Sequence, residues 1–273
     1  MENKLQFLKE VLSVPTKSYQ EERMVQFIVD WLRENQIEYY VDEMYNVYAV
    51  KTDLTLPSGS SYPCVVSHTD TVHNIDTINV VEEILPNSKG ELKLSLKAYN
   101  DQGLPTGIGG DDKCGVFACL VLLKELPHIK AAFFVTEETG CIGSRNADPN
   151  FFHDVGYAIQ FDAPEDWMVT ENCFGTQLFE RNSSFFKTCS PILNESIGEH
   201  IEYMRHPYTD VWALKNKFNF DCINISIGYY DYHTKNEYVV IEDTYRGIEM
   251  GRDMIEKLGY KRYVSQTKQG ILF

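Results

Sequence analysis

The stretch YPCVVSHTD, residues 62–70, is an apolar run that ends abruptly in polar residues. Its apolar part, CVV at 64–66, predicts a short buried strand. His68 and Asp70 then stand two residues apart at the carboxyl end of that strand. They could be a satisfied core histidine and an ordinary turn residue, or a metal ligand and the carboxylate that orients it. The stretch alone does not separate these interpretations.

Short apolar strands alternate with helical segments along most of the chain. Further strands are predicted at residues 91–99 (ELKLSLKAY), 131–136 (AAFFVT), 157–161 (YAIQF) and 221–229 (DCINISIGY), and helices at 114–126 and 242–258. The alternation predicts an α/β protein, a three-layer α/β/α sandwich around a mostly parallel mixed sheet. Such sheets bind ligands outside the carboxyl ends of their strands.

A helix is also predicted before the first strand, from about Gln20 to Asn35. Ser18 and Glu21 have the spacing of a capping box, in which each side chain bonds the backbone amide of the other. An apolar stripe along this helix is explained by core packing.

Carboxylates and imidazoles recur wherever these strands stop. Besides His68 and Asp70 they are Asp111 and Asp112 in GIGGDDKCG (107–115), Glu137 and Glu138, Asp162, and His233. Packing explains any one of them, but not their joint recurrence at one edge of a sheet. Nitrogen and oxygen donors suit a borderline cation such as Zn²⁺. A pair of such cations with one further carboxylate as general base is the equipment of a two-metal hydrolase. Asp112 is the better candidate for capping the helix that follows it.

These motifs occur in the order found in a known superfamily. The chain resembles the co-catalytic zinc exopeptidases, which include peptidase T-like, carboxypeptidase G-like and leucyl aminopeptidase-like enzymes. The matching segments are HTDT (68–71), GGDDKCG (109–115), TEETG (136–140), FD (161–162) and YHT (232–234).

The resemblance implies two zinc ions per chain, with Co²⁺ or Mn²⁺ as substitutes, and a metal-bridging hydroxide as nucleophile. By this resemblance His68 binds one zinc ion and is oriented by Asp70, and Asp111 bridges the two ions. Glu138 and Asp162 each bind one ion, and His233 completes the second metal site. Glu137 is the general base. Tyr232 could bond the developing oxyanion, or it could be an ordinary strand-end aromatic.

The chain leaves no room for the separate lid domain of the peptidase T-like enzymes. That lid, about 100 residues, follows the position of Asp162, whereas here about sixty residues separate Asp162 from the strand at Cys222. We therefore expect a single metallopeptidase domain, residues 1–273, in which loops and short helices at 163–220 replace the lid. Thr209 and Asp210 are expected to cap one of those helices. Lid-bearing relatives dimerise through the lid, so the oligomeric state stays open.

Composition restricts the partners and the compartment. The chain has 25 basic and 40 acidic residues, a formal net charge of −15, which disfavours nucleic acid and anionic membranes. Seven cysteines without a CxxC pair indicate reduced thiols. The N-terminal MENKLQFLKEVL lacks the apolar core of a secretion signal, so a cytoplasmic location is expected.

The function predicted is hydrolysis of the terminal amide bond of short peptides, and the lidless layout favours an aminopeptidase. A carboxypeptidase or an N-acyl amino acid deacylase would use the same site on a peptide or acylated amino acid. Such an enzyme would aim a cation, for example Arg205, at the substrate carboxylate. A catalytically silent binding protein on this fold is the third alternative. Such a protein would have no chemical reason to keep Glu137.

Overall fold

The computed structural model describes residues 2–53, 55–206 and 208–265. The α-helices in these residues are α1 Glu2–Leu12, α2 Glu22–Glu34, α3 Gly110–Glu125, α4 Ile142–Arg145, α5 Pro149–Phe152, α6 Ser184–Ser196, α7 Asp210–Phe218 and α8 Ile241–Leu258. The strands are β1 Glu38–Val41, β2 Val47–Thr52, β3 Tyr62–His68, β4 Asn79–Pro86, β5 Leu92–Tyr99, β6 Pro105–Thr106, β7 His128–Phe134, β8 Val155–Ala163, β9 Met168–Cys173, β10 Thr176–Gln177, β11 Glu202–His206, β12 Asp221–Ser226, β13 Tyr229–Tyr230 and β14 Tyr238–Val240. None of these helices is long and apolar enough to cross a membrane.

The larger of two sheets has the strand order β1-β2-β7-β3-β8-β12-β9-β10, with β11 beside β9. Its centre, β7-β3-β8-β12, is parallel, and the pairs β1-β2, β2-β7, β12-β9 and β9-β10 are antiparallel. Every residue of β7, β8 and β12 is buried. Because successive residues of a strand point to opposite faces, both faces of this centre must be covered. The α/β class with a mixed central sheet is therefore confirmed.

A smaller antiparallel sheet has the strand order β13-β14-β5-β4, with β6 beside β5. Of these strands only β5 was predicted as a strand of its own. The segment DCINISIGY, predicted as one strand, divides between the two sheets. β12 belongs to the large sheet and β13 to the small one, and Gly228 between them has φ +85. A Cβ at this glycine would lie 2.7 Å from the Thr244 amide nitrogen, so the break needs glycine. As a result His233 lies in the turn after β13, not at the edge of the large sheet.

The segment 163–220 contains more regular structure than the loops and short helices expected there. Two strands of this segment extend the large sheet: β9, which is antiparallel to β12, and β11, which is parallel to β9. The helix α6 has 13 residues. The strand β9 mixes buried and half-buried positions along MVTENC, which hides the apolar run by which central strands are recognised.

Two helix starts differ from the capping predicted for them. The N-cap of α2 is Glu21, and the N-cap of α7 is Thr209, but neither side chain makes a capping bond. For α7 the cap comes from Gln160 on β8, whose side-chain oxygen accepts from the Val211 amide at 2.9 Å and from the Thr209 hydroxyl at 2.6 Å. These helix starts are thus tied to the centre of the molecule.

Candidate metal centre

A first group of possible ligands gathers where β3 and β8 end side by side. His68 is the last residue of β3, and Asp162 is the penultimate residue of the neighbouring parallel strand β8. The His68 Nε2 atom lies 3.1 Å from Asp111 Oδ1 and 3.5 Å from Asp162 Oδ1. One donor atom from each of the three residues lies within 4.8 Å of the others.

A second group shares Asp111 with the first. His233 Nε2 lies 3.1 Å from Asp111 Oδ2 and 3.1 Å from Glu138 Oε1. The two oxygens of the Asp111 carboxylate therefore face two different imidazoles. This is the arrangement that a carboxylate bridging two cations requires. The structure thus brings together all five side chains that the sequence singled out as ligands.

The donors fit two zinc ions in chemistry and in spacing. Each group offers one imidazole nitrogen and carboxylates from two residues, which is a donor set that Zn²⁺ accepts. Zinc bonds of about 2.0–2.1 Å put tetrahedral ligand atoms about 3.3 Å apart. The distances of 3.1 to 3.5 Å around both imidazoles match that edge.

The electrostatics of the five residues point the same way. Burial alone would lower the pKa of His68, but its hydrogen bonds to Asp111, Asp162 and Asp70 raise it well above the ordinary value. Hydrogen bonds to Asp111 and Glu138 raise the pKa of His233 to about 10. Burial raises the pKa of Asp162 to about 7. A cation bound at each imidazole nitrogen would replace the ring proton that faces these carboxylates and would supply the positive charge instead.

Asp70 contacts the His68 imidazole that it was predicted to orient, and it also bonds the backbone of two glutamates. The His68 Nδ1 atom lies 3.0 Å from the Asp70 backbone oxygen and 3.4 Å from Asp70 Oδ1. The Asp70 carboxylate is fully buried and accepts from the amides of Glu137 at 2.9 Å and Glu138 at 3.3 Å. One side chain therefore holds the backbone of both adjacent glutamates.

Glu137, the predicted general base, lies beside the first group. Its Oε2 atom is 3.9 Å from His68 Nε2, and the Cys141 thiol donates to its other oxygen at 3.4 Å. The side chain is almost fully buried, and this burial raises the pKa of Glu137 well above its usual range. A carboxylate with a raised pKa is a stronger base than an ordinary glutamate.

The capping-box residues Ser18 and Glu21 belong to the support of this centre, which the sequence did not indicate. The Ser18 hydroxyl donates to Asp70 Oδ2 at 2.7 Å, and Glu21 Oε1 accepts from the Thr136 amide at 3.0 Å. Their S-x-x-E spacing was the only signal, and it indicated a helix start. Both residues instead fasten the turn before α2 to the loops that carry Asp70 and Glu137.

Two neighbours of Asp111 have structural contacts. Asp112 lies inside α3, whose N-cap is Gly109, but the backbone at Asp111 and Asp112 is not helical, and the Asp112 carboxylate accepts from the Gly115 amide at 3.0 Å and from the His68 amide at 3.1 Å. The Lys113 ammonium is buried and donates to the Leu12 carbonyl at the end of α1. Lys113 thereby joins the start of α3 to the end of α1.

The remaining candidates lie outside the two ligand groups. Tyr232 is 41% exposed, and its ring meets the His233 ring edge to face at 5.0 Å. Arg205 lies exposed on β11, and no hydrogen bond or ion pair within the described residues connects it to the centre. Asp210, at the start of α7, is fully buried, and this burial raises its pKa to about 7.

Comparison with known proteins gives relatives only at the level of structure. No protein-family model and no curated protein sequence matches the chain. Aminopeptidase PepT from Bacillus cereus superposes with a TM-score of 0.75 at 13% identity, over 94% of this chain and 98% of that one. A tripeptidase from Staphylococcus aureus gives 0.72 at 12% identity, over 93% and 97%. An aminopeptidase from the archaeon Desulfurococcus kamchatkensis gives 0.68 at 13%, over 94% and 95%.

The chain has the fold of these three peptidases. At such low identities the likeness concerns the fold, and function has to be argued from the site.

Proposed function

We propose that this chain is a metal-dependent exopeptidase that holds two zinc ions and removes N-terminal residues from short peptides. The observation that carries the proposal is the Asp111 carboxylate, whose two oxygens lie 3.1 Å from two different imidazoles. His68 and Asp162 would complete the first zinc site, and Glu138 and His233 the second. The fold of the three peptidases supports the same activity, and one domain spanning residues 1–273 would carry it.

When bound, the two ions would acidify a water molecule and polarise the carbonyl of the scissile amide. Glu137 would take the proton from that water and pass it to the leaving amine. Its burial and its backbone bond to Asp70 hold the carboxyl beside the first group, so little reorganisation is needed for the transfer. Tyr232, next to His233 at the rim, is proposed to bond the oxyanion that develops on the carbonyl.

The side chains around the centre support the proposal of cleavage at the amino end of a peptide. Beyond the ligands, buried carboxyls such as Glu137 and Asp210 lie around the centre, and the charges of Asp162 and Asp210 add to the burial that raises the pKa of Glu137. Lys113, the buried ammonium of the ligand loop, is turned to backbone oxygens near the end of α1. Carboxyl oxygens can accept hydrogen bonds from the ammonium of a peptide, whereas they offer no cation to pair with its carboxylate.

The experiment is hydrolysis of one dipeptide in three forms, unblocked, N-acetylated and C-amidated, by protein supplied with zinc. We expect cleavage of the unblocked and C-amidated forms and loss of cleavage on N-acetylation. Cleavage that survives N-acetylation but not C-amidation would replace the aminopeptidase by a carboxypeptidase or a deacylase.

Glu137→Gln is the matched variant, because it keeps the shape of the side chain and removes its basicity. Elemental analysis should find about two zinc ions in both proteins, with activity only in the wild type. A wild-type chain that takes up no zinc would refute the hydrolase and leave a binding protein on this fold.

A further inference from the structure

Glu237 is a buried carboxylate at the centre of three loops, and no step of the proposed reaction uses it. It directly precedes β14 and has no exposed surface. A fully buried carboxylate is costly unless its oxygens are bonded, and here three donors converge on them. The donors come from two other loops, which suggests a role in holding those loops together.

Three hydrogen bonds hold the Glu237 carboxylate. Glu237 Oε2 accepts from the Gly109 amide at 2.8 Å and lies 2.6 Å from His73 Nε2. Glu237 Oε1 accepts from the Asp111 amide at 3.1 Å. The Glu237 carboxylate therefore bonds the backbone amides of Gly109 and of Asp111, the proposed bridging ligand.

Glu237 also fixes the turn that carries His233. Its own backbone amide donates to the Thr234 carbonyl at 3.2 Å, which closes a turn over residues 234–237 directly after His233. The His73 ring adds the loop that follows His68 and Asp70. One side chain thus joins the loops of the first imidazole, the bridging carboxylate and the second imidazole.

The ligand loop is shaped to admit this contact. A Cβ added at Gly107 would lie 2.0 Å from the His73 ring, and one at Gly110 would lie 3.3 Å from Glu237 Oε1 and 2.6 Å from the Tyr229 side chain. Side chains at these positions would push His73 and the second sheet away from the loop. Gly107 and Gly110 therefore leave the room in which His73 and Glu237 approach this loop.

We infer that Glu237, supported by His73, is a positioning residue that sets the placement of Asp111 relative to His233 and thereby the affinity for the second ion. The inference rests on the proposed two-zinc centre. The second group depends most on Glu237, because Asp111 and His233 both lie on loops that this residue holds. The first group depends on it less, because His68 and Asp162 lie on adjacent strands of the large sheet.

The test is zinc affinity, measured by competition with a chromophoric chelator, in the wild type and Glu237→Gln. We expect the second zinc ion to bind about 10–100-fold more weakly in Glu237→Gln, as is usual when an outer partner of a ligand is lost. The first ion should change much less. Activity lost at low zinc should return when zinc is raised, which a general loss of structure would not permit.

Asp221→Asn is the matched control for burial. Asp221 is equally buried and bonds Lys215 at 2.9 Å and the Ser265 hydroxyl at 2.7 Å, among partners that belong to neither ligand group. This variant should unfold at lower denaturant and keep both zinc affinities. If Glu237→Gln does not fold, His73→Leu, which removes one of the three donors, should weaken the binding of the second ion in the same direction by a smaller factor.

Two results would overturn the inference. One is a folded Glu237→Gln that binds both ions as tightly as the wild type. The other is a fall in affinity no larger than that of Asp221→Asn. A wild type that takes up no zinc would be a different failure, because it removes the proposed centre itself and Glu237's role with it.

Discussion

The two ligand groups share Asp111 but are built on different kinds of structure. His68 and Asp162 end neighbouring parallel strands, and their side chains are 1% and 6% exposed. Glu138 lies in a loop after β7, and His233 lies in a turn with φ +61 and a side chain that is 42% exposed. One group is part of the sheet, and the other is assembled from connections.

This difference predicts unequal binding of the two ions. Strand ends in a buried sheet hold side chains more precisely than loops do, so the first group is preorganised and shielded from water. The second group has to be brought together by outer contacts such as those of Glu237 and Asp70. We therefore expect a tightly held first ion and a more weakly held, exchangeable second ion.

The largest effect is expected from Asp111→Ala, because this residue belongs to both groups. Loss of an outer contact weakens metal binding by up to about 100-fold, and loss of a ligand should weaken the binding of both zinc ions by more than that. Peptide cleavage should disappear. Elemental analysis after dialysis measures the loss. Asp221→Asn is again the control, since the carboxylate of Asp221 bonds Lys215 and Ser265, outside both ligand groups. Retention of two ions in Asp111→Ala would show that the groups do not share a ligand.

Single imidazole deletions separate the two groups. His233→Ala should keep about one zinc ion per chain, whereas His68→Ala should lose the more tightly bound ion and weaken the other through Asp111. Chelator titration of both variants against the wild type measures the order of release. If His233→Ala released both ions and His68→Ala released one, the comparison between strand-held and loop-held ligands would be reversed.

The strand-held ligands were also the part of the centre that the sequence predicted most directly. CVVSH and YAIQFD place His68 and Asp162 at the ends of apolar runs, and such runs identify buried parallel strands. His233 was found by its motif, but its strand was misplaced. The turn at Gly228 that carries the chain into the second sheet follows from its packing against Asp243 and Thr244 of α8, a contact that no local pattern shows.

The outer contacts could not be predicted from local pattern. Ser18 and Glu21 have the spacing of a helix cap, and only the folded chain brings them to Asp70 and Thr136. Glu237 and His73 are 164 positions apart, and the pairing depends on the small sheet, of which only β5 was expected. Ligands at strand ends follow from periodicity, whereas the residues that hold them follow from tertiary structure.

Ser18→Ala tests whether an outer contact of the loop-held glutamates matters to the reaction. It removes the 2.7 Å bond to Asp70, the carboxylate that holds the amides of Glu137 and Glu138. We expect kcat to fall about 10-fold with two zinc ions retained, at the lower end of the usual range for outer contacts. Ser13→Ala is the control, because the Ser13 hydroxyl bonds the Lys9 carbonyl beside α1. Equal kinetics in both variants would assign Ser18 a purely structural role.

The smallest effect concerns stability and tests how the start of α3, next to Asp111, is anchored to α1. Burial lowers the pKa of Lys113 to about 7, whereas in an unfolded chain it is about 10.4. Between these values the unfolded state binds more protons, so this residue makes stability rise with pH from about 7 to about 10. The slope is at most about 1.4 kcal/mol per pH unit.

Lys113→Met removes the titrating group and keeps the length of the side chain. Urea unfolding of both proteins across this pH range, with zinc chelated, should show the wild type gaining stability relative to Lys113→Met as the pH rises. Below about pH 7 Lys113 is protonated in both folded and unfolded chains, so the difference should level off there. A difference that stays constant above pH 7, or shrinks, would mean that Lys113 keeps its proton while bonded to the Leu12 carbonyl. Those hydrogen bonds would then be charge-assisted, and α3 would be held to α1 more strongly than a neutral amine allows.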